Sequence, residues 1–413
     1  MPLDVQLRQA KEAQRQLGNT TTTQRNAVLE AMVALIEEHE DSILAANQDD
    51  LQAAAQHGVE GPRLARLGLT REKLSSLVEG LRTVIQLADP LGRGQRWTLP
   101  NGLILQQVRV PLGVIGLIYE SRPGVTIEAT SLAVKSGNAI LLRGSREALH
   151  TNQALVDLWQ TALRKTDLSP DLVQLVADPD RSVARALMHL KGLDLLIPRG
   201  GAALIQSVVQ EATVPVVETG VGNCHLYVDA EADQEMALHI LLDGKMGNPA
   251  VCNALETLLV HRNIHETFLP RAYDLLSSYH VVWHGDETVL RLIPDAVPAT
   301  EEDWAEEYLG LHLAVKVVDS AEEALAHIAR YGSGHSESIV TNDYRRGQEF
   351  LSRVDAACVY WNASTRFSDG FQFGFGAEVG ISTQKLHARG PMGLDALTTI
   401  KTVAYGSGQT RDF

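Results

Sequence analysis

At 413 residues the chain is too long for one hydrophobic core, so we expect two domains of roughly 100 to 200 residues each. Hydrophobic residues make up 45% and charged residues 21% of the chain, and no apolar stretch approaches the ~18 residues that span a bilayer, which excludes a membrane-spanning protein. The formal net charge of −15 argues against binding of nucleic acid, and an anionic substrate therefore needs local cations.

The amino-terminal segment is charged and amphipathic and lacks the apolar core of a secretory signal, so we expect a cytoplasmic protein. Cys224, Cys252 and Cys358 are odd in number and have no CxxC spacing, so neither a disulfide framework nor a structural zinc site is predicted. His261 and His265 straddle a strand end without the HExxH order, and we interpret them as loop histidines. No metal is predicted.

In chain order, the first element is an amphipathic helix. Its apolar face follows a capping-box pattern that runs from Thr21 to Gln24, and the face consists of Val28, Met32, Leu35 and Ile36. Further on, residues 91–111 place Pro-Asn-Gly between two strand-like runs, which predicts a β-hairpin. Residues 398–406 form a strand-like run without a helical partner, and such an edge needs to be covered by the same chain or by another subunit.

From residue 113 short apolar runs alternate with helical segments, which is typical of βα units in a parallel sheet. The runs of the first series are residues 113–119, 139–143, 173–177, 193–198 and 214–218. One helical segment between them, residues 145–163, begins at the candidate cap Ser145. A second series follows Cys252, in residues 254–261, 281–284, 309–318, 337–342 and 357–362. The boundary between the two halves is predicted near residues 226–232.

The common phosphate-binding fingerprints, GxGxxG after a strand and GxxxxGK[ST], are absent. The best candidate for a phosphate cradle is residues 197–201, where a strand end runs through Gly200 and Gly201 into a helix. From the local residues alone, a tight strand-to-helix turn without a ligand is an equally good interpretation.

Cys252 differs from the other two cysteines in its surroundings. It follows the turn residues Gly-Asn-Pro, where backbone N–H groups can stabilise a thiolate and form an oxyanion hole. A catalytic cysteine and a small buried hydrophobe remain equally good interpretations at this point. Cys224 and Cys358 lie inside apolar runs and are predicted to be buried.

Four segments resemble successive landmarks of the aldehyde dehydrogenase superfamily: VETGVGNCHLYVD (217–229), MGNPAVCN (246–253), EEYLGLHLAVKVV (306–318) and QKLHARGPMGLDALTTIKTV (384–403). Four longer blocks resemble its proline-biosynthesis branch, which reduces an acyl phosphate: residues 111–123, 196–205, 327–341 and 359–394. The resemblance covers nearly the whole chain.

The resemblance implies an α/β fold with two Rossmann-like parallel-sheet domains. It implies an NADP-binding domain in residues 1–90 and 112–228 and a catalytic domain in residues 229–397, with oligomerisation elements in residues 91–111 and 398–413. The implied activity is the NADPH-dependent reduction of L-glutamyl 5-phosphate to L-glutamate 5-semialdehyde through a cysteine thioester. The implied assembly is a homodimer or homotetramer, and association with glutamate 5-kinase is a further expectation.

The resemblance also implies roles for the cofactor-binding residues. Arg143 stands where the superfamily has a lysine against the adenosine ribose, and Ser145 and Arg146 follow it. Relatives that prefer NAD have an acidic residue in place of Arg146, so an arginine there suits the 2′-phosphate of NADPH. Gly200 and Gly201 match the helix start over the pyrophosphate. Glu307 matches the glutamate near the nicotinamide ribose.

Cys252 matches the superfamily nucleophile. Glu218 matches the general base that activates water, which a reductase does not need, so it is only a candidate catalytic residue. The segment 120–123 replaces the stretch that carries an asparagine oxyanion donor, and Ser121 and Arg122 in it, together with Arg366, are the substrate-binding candidates. Two alternatives remain, an oxidising aldehyde dehydrogenase with Glu218 as base and an inactive scaffold of the same fold.

Overall fold

The chain folds into α-helices and mainly parallel β-sheets. The computed structural model describes residues 1–411, except for the side chains of Pro62 and Arg63. Two compact units are present. The first comprises Met1–Glu218, Gly374–Gly380 and the chain from Met392, and the second comprises Thr219–Phe373 and Ile381–Pro391. The identification of these units as cofactor and catalytic domains stays a prediction. The predicted segment 398–413 extends to residues 412 and 413, which lie outside the described residues.

The first unit contains nine helices and six strands before Thr219, in the order α1 (Leu3–Leu17), α2 (Thr22–Glu38), α3 (Glu40–Gln56), α4 (Gly61–Leu67), α5 (Arg71–Gln86), β1 (Arg96–Thr98), β2 (Ile104–Pro111), β3 (Val114–Tyr119), α6 (Gly124–Lys135), β4 (Ala139–Arg143), α7 (Leu149–Lys165), β5 (Val173–Leu175), α8 (Arg181–Met188), β6 (Leu195–Arg199) and α9 (Ala202–Glu211).

The second unit continues with β7 (Cys224–Val228), α10 (Gln234–Met246), β8 (Leu255–His261), α11 (His265–Ser277), β9 (Val282–Gly285), α12 (Glu287–Leu292), β10 (Val297–Pro298), β11 (His312–Val318), α13 (Ala321–Tyr331), β12 (Ser336–Val340), α14 (Tyr344–Arg353), β13 (Cys358–Trp361), β14 (Ile381–Ser382) and β15 (Gly390–Pro391). The last strand, β16 (Thr398–Tyr405), belongs to the first unit.

The sheet of the first unit has four parallel strands in the order β5-β4-β3-β6. Its strands correspond to the first four apolar runs of the sequence, and β3 is buried along its whole length. The fifth run, residues 214–218, does not form the predicted strand and makes only an isolated bridge from Val216 to Leu196. Pro215 lies within this run, and a proline has no N–H to donate to a neighbouring strand.

The sheet of the second unit has seven parallel strands in the order β10-β9-β11-β8-β7-β12-β13. All five apolar runs of the second series form strands here. Strand β7 pairs with β8 and β12 in the middle of this sheet. The division between the units therefore falls at residues 218 and 219, earlier in the chain than residues 226–232.

Of the two predicted helix starts, local sequence was sufficient for one and not for the other. The Thr21 capping box forms as predicted, because the Thr21 side chain accepts the Gln24 N–H and the Gln24 side chain accepts the Thr21 N–H. Ser145, in contrast, makes no side-chain cap for the helix that it precedes. The cap comes from Asp50, whose carboxylate accepts the N–H groups of His150 and Thr151 at 3.1 and 2.8 Å. A cap supplied by a distant helix leaves no local pattern in the sequence.

The predicted hairpin is present as the antiparallel pair β1 and β2, with Thr98 opposite Ile104. Gly102 in its turn has a φ of 82°, which favours glycine. Strand β16 adds to the other side of β2, so the same chain covers one edge of that strand. None of the helices in residues 1–411 is long and apolar enough to cross a membrane.

Candidate active site

The turn that carries Cys252 joins the end of α10 at Met246 to the start of β8 at Leu255. Cys252 is half-buried in this turn, whereas Cys224 and Cys358 are buried as predicted. A nucleophile needs access to its substrate, so the half-buried position of Cys252 fits a catalytic thiol better than a core residue.

The neighbouring strand β7 holds the backbone of Cys252. The Cys224 thiol donates to the Cys252 carbonyl oxygen, with an S to O distance of 3.3 Å. Burial raises the pKa of the Cys224 thiol well above its ordinary value, and the carboxylate of Glu337 adds to this effect, so Cys224 stays protonated as a donor. A methyl group added at Gly222 would lie 1.5 Å from the Cys252 carbonyl oxygen. The Cys252 turn therefore needs glycine at position 222.

Asn253 ties the same turn to the loop that carries Arg366. The Asn253 side-chain amide donates to the carbonyl oxygens of Arg366 and Ser368 at 3.2 and 2.9 Å. In return, the Arg366 guanidinium donates to the Asn253 side-chain oxygen. The Thr365 hydroxyl also donates to the Asn253 carbonyl oxygen at 2.8 Å. The turn of Cys252 and the loop of Arg366 are therefore one hydrogen-bonded assembly.

Glu307 lies in the same region of the second unit. Its carboxylate accepts the Gly222 N–H at 2.7 Å, and Gly222 also contacts the Cys252 carbonyl. The loop of Glu307 is further held by the Leu309 N–H, which donates to the Glu256 carboxylate at 3.2 Å. Three predicted site residues of this unit, Cys252, Glu307 and Arg366, are thus brought together.

Two predicted cofactor residues of the first unit, Ser145 and Gly201, and the predicted substrate-binding residue Ser121 lie at the carboxyl ends of neighbouring strands. Ser145 follows β4, Ser121 follows β3, and Gly201 follows β6 and precedes α9. The Ser121 N–H donates to the Ser145 hydroxyl at 3.3 Å, and the Gly201 N–H donates to the Glu120 carboxylate at 2.8 Å. This edge of a parallel sheet is where such folds bind nucleotides.

The two arginines of the first unit that are predicted to bind the cofactor, Arg143 and Arg146, differ in their environment. The Arg143 guanidinium donates to the backbone carbonyl oxygens of Pro179 and Asp180 at 2.8 and 3.3 Å, so it braces a loop. Burial lowers the pKa of Arg143. Arg146 is exposed at the start of a 3-10 turn. The contacts of both side chains with a cofactor stay predictions.

The remaining candidates, Ser121, Arg122 and Glu218, all lie in the first unit. Ser121 has a φ of 28°, a strained backbone for a residue with a side chain. The Arg122 carbonyl oxygen accepts the Val125 N–H at 3.0 Å, at the start of α6. Glu218 is half-buried and is the last residue of the long first segment of that unit. Their catalytic and substrate-binding roles stay predictions.

Sequence reasoning missed four residues that these contacts involve. Asn253 is a buried amide directly after Cys252, and Glu120 is an acid at a strand end. Lys245 and Glu256 are charged residues inside an apolar helix and an apolar strand, both are fully buried, and they form an ion pair with each other. A charge within an apolar run is the signal that could have identified this pair, because buried charges need partners.

The aldehyde dehydrogenase family model matches residues 3–290 and 289–403 of the chain. Gamma-glutamyl phosphate reductase of Enterococcus faecalis is 54% identical over 405 residues, which cover 98% of this chain and 97% of that protein. Gamma-glutamyl phosphate reductase of Moorella thermoacetica is 52% identical over 413 residues, with 99% of each chain covered.

Among solved structures, gamma-glutamyl phosphate reductase of Thermotoga maritima superimposes with a TM-score of 0.96 at 45% identity and covers 99% of both chains. An acetylating aldehyde dehydrogenase of Geobacillus thermoglucosidasius has a TM-score of 0.72 at 18% identity, over 99% of this chain and 97% of that one, which shows a shared fold.

Proposed function

Because the chain belongs to the gamma-glutamyl phosphate reductases of the aldehyde dehydrogenase family, we propose that it reduces L-glutamyl 5-phosphate to L-glutamate 5-semialdehyde and phosphate, with NADPH as the reductant. This is the second step of proline biosynthesis from glutamate. The observation that carries the proposal is identity above 50% over nearly the full length of relatives with this name. The half-buried Cys252 supports it.

Membership of the family indicates a nicotinamide cofactor, and we propose NADPH in particular. The Gly201 N–H at the start of α9 donates to a carboxylate oxygen, which supports the proposal that this amide binds an anionic oxygen such as that of a pyrophosphate. Gly200 and Gly201 have no side chains to exclude a ligand. Arg146 is an exposed cation suited to the 2′-phosphate. The residues present therefore fit the cofactor.

In the proposed mechanism the Cys252 thiolate attacks the acyl carbon of the substrate, and a carbon–sulfur bond forms. Backbone N–H groups of the turn stabilise the oxyanion, and phosphate then leaves with the electrons of the broken carbon–oxygen bond. When bound, the nicotinamide cofactor would supply the hydride for reduction of the resulting thioester on Cys252. Collapse of the hemithioacetal releases the semialdehyde and regenerates the thiolate.

The surrounding residues keep this nucleophile in place. The Cys224 thiol and the Asn253 side chain hold the turn on two sides, which supports a fixed direction of attack. Glu307 is proposed to hold the nicotinamide ribose, together with Arg143 and Ser145 at the adenosine end. Glu218 stays a candidate catalytic residue without a required step in the reductive direction.

The substrate has an α-carboxylate and a phosphate, and a protein with a net charge of −15 needs local cations to bind them. We propose Arg366 and Arg122 for these anions, with Ser121 as a hydrogen-bonding group. We further propose a homodimer or homotetramer, association with glutamate 5-kinase, and a cytoplasmic location.

The decisive experiment is run in the oxidative direction, with semialdehyde and NADP and with or without inorganic phosphate. A phosphorylating enzyme needs phosphate to release the acyl group from Cys252, so NADP reduction is expected to depend on phosphate. Equal rates without phosphate would identify an oxidising aldehyde dehydrogenase, and no reaction under either condition would identify an inactive scaffold.

A further inference from the structure

The Glu120 carboxylate accepts a hydrogen bond from the same backbone N–H, that of Gly201, which is proposed to bind the cofactor pyrophosphate. Glu120 directly follows β3, and its carboxylate accepts the Gly201 N–H at 2.8 Å. A methyl group added at Gly200 would lie 2.6 Å from the same carboxylate oxygen, so this approach depends on glycine. The Glu120 N–H in turn donates to the Arg199 carbonyl oxygen at 3.0 Å, which fixes the backbone beside the start of α9.

We propose that Glu120 is an internal competitor for the cofactor pyrophosphate and thereby lowers the affinity for the cofactor. This inference rests on the proposed function, because it assumes that a dinucleotide binds at Gly200 and Gly201. A pyrophosphate at this helix start needs the same N–H and meets a like charge, so the Glu120 side chain must move before the cofactor is fully bound. Glu120 is therefore an affinity-determining residue and not a catalytic one.

Two observations make this displacement feasible. Glu120 is half-buried and the start of α9 is exposed, so the carboxylate can turn into water without leaving a buried charge unpaired. The next residue, Ser121, is held separately by the hydrogen bond from its N–H to the Ser145 hydroxyl. A rotation of the Glu120 side chain therefore does not require the strand end to move.

The same competition favours release of the oxidised cofactor. When the pyrophosphate starts to leave, the Glu120 carboxylate can accept the hydrogen bond of the Gly201 N–H again, which opposes rebinding of the pyrophosphate. Loss of the negative charge at position 120 should therefore slow dissociation of the cofactor as well as increase its affinity.

The test compares NADPH binding to the wild-type enzyme and to Glu120→Gln, by fluorescence titration and by stopped-flow displacement. Glutamine can still accept the Gly201 N–H but has no charge, so the fold should persist, which a thermal melt without cofactor checks. We expect about tenfold tighter NADPH binding, equivalent to ~1.4 kcal/mol, and a slower dissociation rate. Unchanged or weaker binding would overturn the proposal.

The matched control is Glu211→Gln, which removes the same charge from the last residue of the same helix, about 15 Å away. NADPH binding to this variant should remain that of the wild type. A second probe, adenosine 2′-phosphate, lacks the pyrophosphate and should bind equally to the wild type and to Glu120→Gln. If Glu120→Gln increases the affinity for adenosine 2′-phosphate as much as the affinity for NADPH, a local competition at Gly201 is overturned.

The two proposals fail in different ways. If the wild-type enzyme binds neither NADPH nor NADP, the proposed function fails. If it binds them and Glu120→Gln does not bind more tightly, only the role of Glu120 fails.

Discussion

Lys245 and Glu256 form an ion pair at 2.6 Å in which both side chains are completely buried. Lys245 lies near the end of α10 and Glu256 near the start of β8, so the pair closes the base of the turn that carries Cys252. The second carboxylate oxygen of Glu256 accepts the Leu309 N–H, two residues after Glu307. One buried pair therefore links the Cys252 turn to the Glu307 loop.

We predict that at about pH 8, above the raised pKa of Glu256 and therefore with its carboxylate ionised, Glu256→Gln is destabilising by about 3 to 5 kcal/mol, because it leaves the Lys245 ammonium group buried without a counter-charge. The double change Lys245→Met and Glu256→Leu removes both charges, and its free energy of unfolding should lie close to that of the wild type. Urea unfolding of the three proteins measures both effects. Equal stability of the single and double variants would contradict this view of the pair.

The same pair predicts a pH dependence of stability. Burial raises the pKa of Glu256 from 4.5 to about 7, so between these values the folded state keeps a proton that the unfolded state has released. The free energy of unfolding should therefore fall as the pH rises from 4.5 to 7, by on the order of 1 to 3 kcal/mol relative to the Met/Leu double variant. The measurement is the free energy of unfolding at several pH values for the wild type and the double variant. If it changes equally with pH in both proteins, the raised pKa of Glu256 is contradicted.

Most of the fold was predictable because apolar runs and helix periods are local signals. Nine of the ten apolar runs became strands, and the exception contains Pro215. The capping box at Thr21 and the hairpin turn that contains Gly102 were also predictable from local sequence. The cap from Asp50 and the division at residue 218 depend on contacts between distant segments, which no window of sequence contains.

The candidate site was predictable only as far as the family resemblance reached. The resemblance pointed to Cys252, Glu307 and Arg366, which the structure brings together. It did not point to Asn253 or Glu120, because their hydrogen bonds join segments that are far apart in the chain. Glu120 and Gly201, for example, are separated by 81 positions. Those contacts exist only once the sheets have formed.

Cys252→Ser should fold normally and lose almost all turnover, because a serine hydroxyl is a far weaker nucleophile than a thiolate at neutral pH. Cys358→Ser should remain active. Cys224→Ser should also remain active, since a hydroxyl can still donate to the Cys252 carbonyl oxygen. Phosphate-dependent NADP reduction by the purified variants measures these effects, and substantial activity of Cys252→Ser would refute the assignment of the nucleophile.

Arg146→Glu should weaken NADPH binding far more than NADH binding, because it places a negative charge where the 2′-phosphate is proposed to lie. The matched control is Arg164→Glu, which makes the same charge change in the last turn of α7 and should affect neither cofactor. The measurement is the dissociation constant of NADPH and of NADH for each variant and for the wild type. Equal losses of NADPH and NADH affinity in Arg146→Glu would show that Arg146 does not read the 2′-phosphate.

Arg366→Lys should raise the KM for semialdehyde by about tenfold, equivalent to ~1.4 kcal/mol, because lysine keeps the charge but not the bidentate geometry that binds a carboxylate or phosphate. The affinity for NADP should hardly change. Steady-state kinetics with varied semialdehyde, together with an NADP titration, separates the two quantities. An unaltered KM would shift the proposed substrate clamp to Arg122.

The bond between Arg366 and Asn253 offers a second explanation, in which Arg366 acts only by orienting Asn253 beside the nucleophile. A double-mutant cycle with Asn253→Ala separates the two roles. If Arg366 binds the substrate directly, Arg366→Lys should raise the KM by a similar factor in the presence and absence of the Asn253 side chain. If the effect disappears in the Asn253→Ala background, Arg366 is a positioning residue for the Cys252 turn and the substrate anions are bound elsewhere.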